Sequence, residues 1–241
     1  MPATTRHADR RPTLNAAGFW RRYAAWSLDA AIVALAVLAI TWPRMASALH
    51  EAGIALDVLA ARLSGLLLDS LSSSQDLASM AIAALSDSGV RAASAATQSA
   101  LWRAIQPAFV GFLIAAAVYW IACERSPWQA TPGKRALGLR VTDVDGQRIG
   151  FGRALARHLA GALSWLMLNL GHLLAAVPPE RRALHDFVAG TRVLQDDGLG
   201  RLPAWAQAWL VLQALAAIAS TAWLLQALQG ALRQAIEGVA Y

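Results

Sequence analysis

The sequence predicts an all-α membrane protein: three to four transmembrane or re-entrant helices with a small cytoplasmic β element and an extracytoplasmic helical insertion. Three observations predict it. The 241 residues are 57% hydrophobic and only 15% charged, whereas soluble domains run near 45–50% apolar and about 25% charged. Four apolar stretches approach or exceed the roughly 20 residues an α-helix needs to cross hydrocarbon. The basic residues, which give a net charge of +6, sit in short runs beside those stretches. That is the pattern of membrane orientation, and it argues against nucleic acid as a partner.

Residues 1–23 form a cytoplasmic N-terminal segment. It is no cleavable signal, because the apolar stretch behind it exceeds a signal's hydrophobic region and no small-residue cleavage site follows closely. Residues 24–42 form the first transmembrane helix, with Asp29 as its one charge. Residues 43–103 form the helical insertion. In "IALDVLAARLSGLLLDSL", Leu56, Leu59, Leu63, Leu66 and Leu67 recur at spacings of three and four, so an amphipathic helix is expected. "SLSSSQDL" then breaks it before a second, alanine-rich helix from about Asp76 to Leu85.

Residues 104–123 form the second transmembrane helix, and 124–158 a cytoplasmic basic loop. "GLRVTDVDGQRIGF" reads as a strand, an Asp-Gly turn and a second short strand, and "GTRVLQDDG" as a third. Residues 159–177 form a transmembrane or re-entrant helix, 178–203 a basic loop carrying the third strand, and 204–232 the C-terminal transmembrane helix. Five of the 21 lysines and arginines lie in 1–23, seven in 124–158 and only four in the long 43–103 segment. The first two segments are therefore expected in the cytoplasm and the third outside, in the cytoplasmic (inner) membrane of a bacterium.

If the three strands form one sheet, residues 191–195 share a side with residues 138–151, which requires the 159–177 segment to be broken or re-entrant. Asn169 and Gly171 mark a plausible break. Full crossing remains the alternative that apolar length favours.

Arg22 and Asp29 are seven apart, nearly on one helix face and about 10 Å apart along the axis. Arg22 can snorkel to the interface. Asp29 cannot, and a mid-helix aspartate costs about 2.5–3.5 kcal/mol on insertion scales, so it requires protonation, a partner or a wet cavity. As function it is a cation or proton site; as structure it is a polar clamp between helices. Asn169 and His172, three apart, would share a face inside an apolar stretch, where histidine can relay protons or serve as a neutral packing group.

"TPGKR" is not a phosphate-binding loop, since Trp128 stands where that motif needs glycine and Arg135 where it needs serine or threonine. A turn is expected instead, with Gly133 allowing close backbone approach and Lys134 and Arg135 facing anionic headgroups. In "RRALHDF", His185 and Asp186 point about 100° apart and cannot form a dyad; Asp186 is expected to cap a helix or pair with an arginine. Cys123 is the single cysteine, so no internal disulfide forms, and nothing has zinc-ligand spacing. No cofactor or metal is expected, and no catalytic arrangement is recognisable.

"GFWRRYAAWSLD" at 18–29, "TPGKRALGLRVTDVDGQRI" at 131–149, "RALARHL" at 153–159 and "RRALHDFVAGTRVL" at 181–194 together resemble the RDD family of small integral membrane proteins. The resemblance implies that the family's arginine is Arg22, its first aspartate Asp29 and its second Asp186, with Asp145 as the lesser candidate. Ion transport, including sodium/proton exchange, has been proposed for some members. Two functions are expected from this: small-cation or proton transport using Asp29, with three or four helices requiring a homo-oligomer or a membrane-protein partner; or a non-catalytic scaffold or accessory subunit. The bilayer, with its anionic headgroups, is the expected partner of the basic loops.

Overall fold

The computed structural model of the chain describes residues 14–73, 76–167, 169–196 and 200–237. The expectation for the first 23 residues falls largely on residues outside this set, as do parts of the predicted break at 71–78 and the Asp-Gly end of the third strand. The elements in order are β1 (Leu14–Ala16), α1 (Phe19–Ser72), α2 (Leu77–Ser86), α3 (Ser88–Arg125), α4 (Pro132–Ala136), β2 (Leu139–Asp143), α5 (Phe151–Leu166), α6 (Leu170–Leu173), a 3-10 turn at Leu174–Ala176, α7 (Leu184–Ala189), β3 (Thr191–Asp196) and α8 (Ala204–Glu237). Among the described residues, three helices are long and apolar enough to cross a membrane: Phe19–Ser72, Ser88–Arg125 and Ala204–Gly230. The protein is an all-α membrane protein with a small sheet.

Two units divide the chain. The first comprises Met1–Leu35 and Leu113–Val211, the second Ala36–Phe112 and Leu212–Tyr241. The first unit contains the sheet and α4 to α7. Its strands run in the order β1-β3-β2, all antiparallel. Leu139 faces Gln195 and Asp143 faces Thr191 across one edge of β3, while Leu14 faces Asp196 across the other. Leu137, Leu139, Val141, Ile149 and Val193 form the core beneath the sheet, closed by the small side chains of Ala17, Ala24, Ala25, Ala154 and Ala206. Alanine at the helical positions lets the backbones approach closely, as membrane helices do where packing replaces the hydrophobic effect.

The β element differs from its sequence reading. Asp143 accepts the amides of Asp145 (3.0 Å) and Gln147 (2.7 Å), and Gly146 takes a positive φ of 79°, so the Asp-Gly turn forms. No returning strand follows among the described residues. The free edge of β2 is engaged instead by Gln129, whose carbonyl accepts the Val141 amide at 2.7 Å. The strand read in "GTRVLQDDG" is β3, and the sheet is completed by β1, whose three residues are too few to show an alternation.

Helix α5 ends at Leu166, and Asn169 adopts a left-handed backbone with φ 64° before α6 begins. The expected break is where the chain turns. A Cβ on Gly171 would collide with the Ser164 hydroxyl and lie 2.9 Å from the Leu184 Cβ, so glycine is what lets α6 fold back against α5.

In the second unit, no break in the helix marks the expected end of the first transmembrane segment at residue 42. Helix α1 continues through Pro43 to Ser72. One proline costs about 3 kcal/mol in a helix, but alanine- and leucine-rich turns on both sides favour helix, and membrane helices tolerate proline. Residues 43–72 are thus the distal part of α1 and 88–103 the start of α3. Of the predicted apolar face, Leu59, Leu66 and Leu67 are half-buried while Leu56 and Leu63 stay exposed. Asp76 caps α2, accepting the Ser79 amide at 2.8 Å. Within this unit an exposed ion pair, Arg103 to Glu51 at 2.7 Å, joins α3 to α1.

Candidate functional polar cluster

Every residue of the candidate site lies in the first unit. Asp29 is 0% exposed. Its carboxylate accepts the Tyr119 hydroxyl at 2.7 Å, the Gly133 amide at 2.8 Å and the Thr131 hydroxyl. Three elements converge there: α1 supplies the acid, α3 the phenol, and the start of α4 the remaining donors. Thr131 caps α4 and Pro132 opens it, a combination that preorganises a first turn. Gly133 is required by proximity, since a Cβ would lie 2.5 Å from the Ala25 carbonyl oxygen and 2.9 Å from the Asp29 carboxyl carbon.

From α4 the polar contacts continue. Lys134 is buried and pairs with Glu124 of α3. Glu124 also binds Arg157 of α5 at 3.1 Å. Arg157 pairs with Asp186 of α7 and donates to the Thr191 hydroxyl at 2.9 Å. Asp186, 0% exposed, pairs also with Arg22 and accepts the Ala183 amide at 2.8 Å. Arg22 thereby returns the chain of contacts to α1, where Asp29 also resides. The cluster thus joins three acidic residues, Asp29, Glu124 and Asp186, to three basic ones, Arg22, Lys134 and Arg157.

Electrostatics fixes the protonation of its inner part. Burial opposes ionisation of Asp186, but the Arg157 and Arg22 guanidiniums outweigh it and hold the carboxyl well below the usual range. Burial likewise opposes the charge on Arg157, and Asp186 with Glu124 overcomes it, so this guanidinium is raised. His185 goes the other way: burial first and then Arg157 push its imidazole well below the ordinary histidine value. His172 is lowered by burial and by Arg22 and Arg157. The two rings lie 5.0 Å apart, and His185 Nε2 is 3.7 Å from Asp186, too far for a hydrogen bond.

The candidates are thus redistributed. Arg22, His172, His185 and Asp186 come together; Asp29 and Lys134 join them through α4, Glu124 and Arg157. Arg22 does not snorkel, because Asp186 holds it inside. Lys134 does not face headgroups, because Glu124 draws it into the interior. Arg135 is exposed and stacks on Trp128 at 4.2 Å, outside the cluster. Asn169 sits exposed in the turn before α6 and shares no helix face with His172. No contact joins Asp29 to His172 among the described residues. Asp186 both caps its helix and pairs with arginines, whereas Asp145 is an exposed turn residue, so the second aspartate of the cluster is Asp186.

Tyr119, Glu124, Thr131, Arg157 and Thr191 were missed as site residues. Thr131 precedes a proline in a capping pattern and Arg157 lies in the "RALARHL" segment, so both had a signal. Tyr119 had none, since its partner is 90 residues away.

The family model described as the RDD family matches residues 16–190, a range that holds every charged member of the cluster. The chain is also similar to the Uncharacterized protein YxaI of Bacillus subtilis (strain 168), with 31% identity over 91 residues. That match covers 38% of this chain, and the chain spans 60% of the relative's length. No solved structure matches.

Proposed function

The chain belongs to the RDD family of membrane proteins, and from that premise we propose that it is a non-catalytic membrane scaffold or accessory subunit whose arginine and two aspartates clamp the fold together. One observation carries this reading: both aspartates are saturated by protein donors. Asp29 takes three hydrogen bonds and Asp186 two guanidiniums and an amide. A carrier needs a carboxylate that exchanges ligands every cycle. Separating a buried ion pair costs about 3–5 kcal/mol, which suits a clamp better than a turnover site. In this reading the N-terminus and sheet face the cytoplasm of a bacterial cell, as the basic density of their segments supports, and the clamp presents them to a membrane-protein partner or a second copy.

Small-cation or proton transport is the second reading. Two of the Asp29 donors are hydroxyls, Tyr119 and Thr131, which can rotate and exchange protons; such a path would still need an oligomer or another subunit. Reconstitution into liposomes with imposed ion and pH gradients separates the two. The clamp reading expects no flux above empty liposomes from wild type or Asp29→Asn, together with co-purification of a specific partner. Flux in wild type that vanishes in a folded Asp29→Asn protein would replace it with transport.

A further inference from the structure

A cleft of about 300 Å³, lined by Arg125, Arg148, Ile149, Gly150 and Phe151, opens in the same unit as the cluster but shares no residue with it. Arg125 is the last residue of α3, hence the end of a membrane-crossing candidate. Arg148 donates from Nε to the Arg125 carbonyl at 2.7 Å, placing a second guanidinium on the C-terminal end of that helix. The Arg125 guanidinium lies 5.9 Å from the centre of the Phe151 ring. Neither arginine has an ion-pair partner among the described residues, so both guanidiniums keep charge to offer an anion.

Below the cleft runs an apolar stripe. Phe151, Leu159 and Leu163 of α5 are all more than half exposed, at 55%, 59% and 52%, and their spacings of eight and four put them on one helix face. The opposite face buries Ala154, Arg157, Ala160 and Ser164. Sixteen residues give α5 about 24 Å, too short to cross a bilayer but long enough to lie in one leaflet. A cationic cleft at an interface, continuous with an exposed apolar stripe, has the charge and polarity order of one molecule type.

We infer that this cleft binds the phosphodiester of an anionic phospholipid between Arg125 and Arg148, with an acyl chain along Phe151, Leu159 and Leu163. Free phosphate would satisfy the two guanidiniums but leave the stripe without an occupant. The site is separate from the clamp and does not rest on it. The full-length protein is measured by native mass spectrometry after exchange into mixed phosphatidylglycerol and phosphatidylcholine. Wild type is expected to retain one phosphatidylglycerol preferentially, and Arg125→Gln/Arg148→Gln to lose the preference about tenfold, since each surface arginine contributes a favourable contact with anionic lipid. Arg125→Lys/Arg148→Lys keeps the charge and is expected to keep most of the preference.

Equal retention of the two lipids by wild type, or an unchanged preference in the glutamine variant, overturns the inference. Displacement of phosphatidylglycerol by millimolar inorganic phosphate would leave a phosphate site and overturn the lipid assignment. Where the glutamine variant does not fold, photoactivatable phosphatidylglycerol on the wild type decides: adducts within residues 148–163 support the site, and adducts confined to other segments overturn it.

Discussion

Arg22 pairs with Asp186, 164 residues away, although Asp29 stands only two turns along the same helix. The two aspartates consequently do different work. Asp186 is an electrostatic hub held by two guanidiniums, and Asp29 is an acceptor for two hydroxyls and an amide. Their variants separate accordingly.

Asp186→Ala leaves Arg22 and Arg157 buried without their shared counter-charge, and thermal unfolding in detergent is expected to report a loss of about 3–5 kcal/mol. Arg22→Met is expected to cost less, because Arg157 still neutralises Asp186. A reversed order would mean that the pairing is not what holds α7 to α1.

At Asp29, asparagine preserves a carbonyl acceptor and leucine does not. Leucine strands the Tyr119 and Thr131 hydroxyls and the Gly133 amide, at about 1–3 kcal/mol per buried unsatisfied group. The expected order of melting temperature is wild type, then Asp29→Asn, then Asp29→Leu. A leucine variant as stable as wild type would remove the clamp at this position.

Gly133→Ala drives a methyl group into the Ala25 carbonyl and the Asp29 carboxyl, an overpacking worth about 1–3 kcal/mol. Gly152→Ala is its control, since nothing lies within 4 Å of the added methyl and alanine favours helix. Only the first is expected to melt earlier.

Stability is expected to fall on acidification in two stages. His185 is depressed in the folded protein, so the unfolded chain binds the extra proton below about pH 6.5, and the stability this group contributes is lost as pH drops from there. Asp186 is also depressed, and its contribution, full above about pH 4, is lost only in stronger acid. His185→Gln is expected to reduce the first stage, to which the likewise depressed His172 also contributes, and to leave the second. An unchanged slope between pH 7 and 5 in that variant would assign the stage to another group.

Because β3 bonds to β1 on one edge and β2 on the other, cysteines placed at Asn15, Asp145 and Arg192 in a Cys123→Ser background are expected to react with an impermeant maleimide from one and the same side of the membrane. Labelling of positions 145 and 192 from opposite sides would dismantle the sheet.

The apolar segments were legible because hydropathy is a local property, and so was the turn near Asn169, where an amide and a glycine interrupt an apolar run. The continuity of α1 through Pro43 was not, since proline usually signals an end and only the surrounding helix formers override it. Within the site, the cost of Asp29 in hydrocarbon was readable, but its remedy was not. Tyr119 and Thr131 are ordinary residues until folding brings them 90 and 102 positions back to the acid. Lys134 was misread for the same reason: its short distance in sequence from Glu124 says nothing until the turn at 126–131 brings the two inside.

The strand at the centre of the sheet is the last of the three to be synthesised. At about 5–20 residues per second, a ribosome needs roughly 8–30 s to travel from Arg22 to Asp186. Throughout that interval the Arg22 guanidinium lacks its Asp186 counter-charge, so a chain interrupted before α7 leaves that pairing unmade.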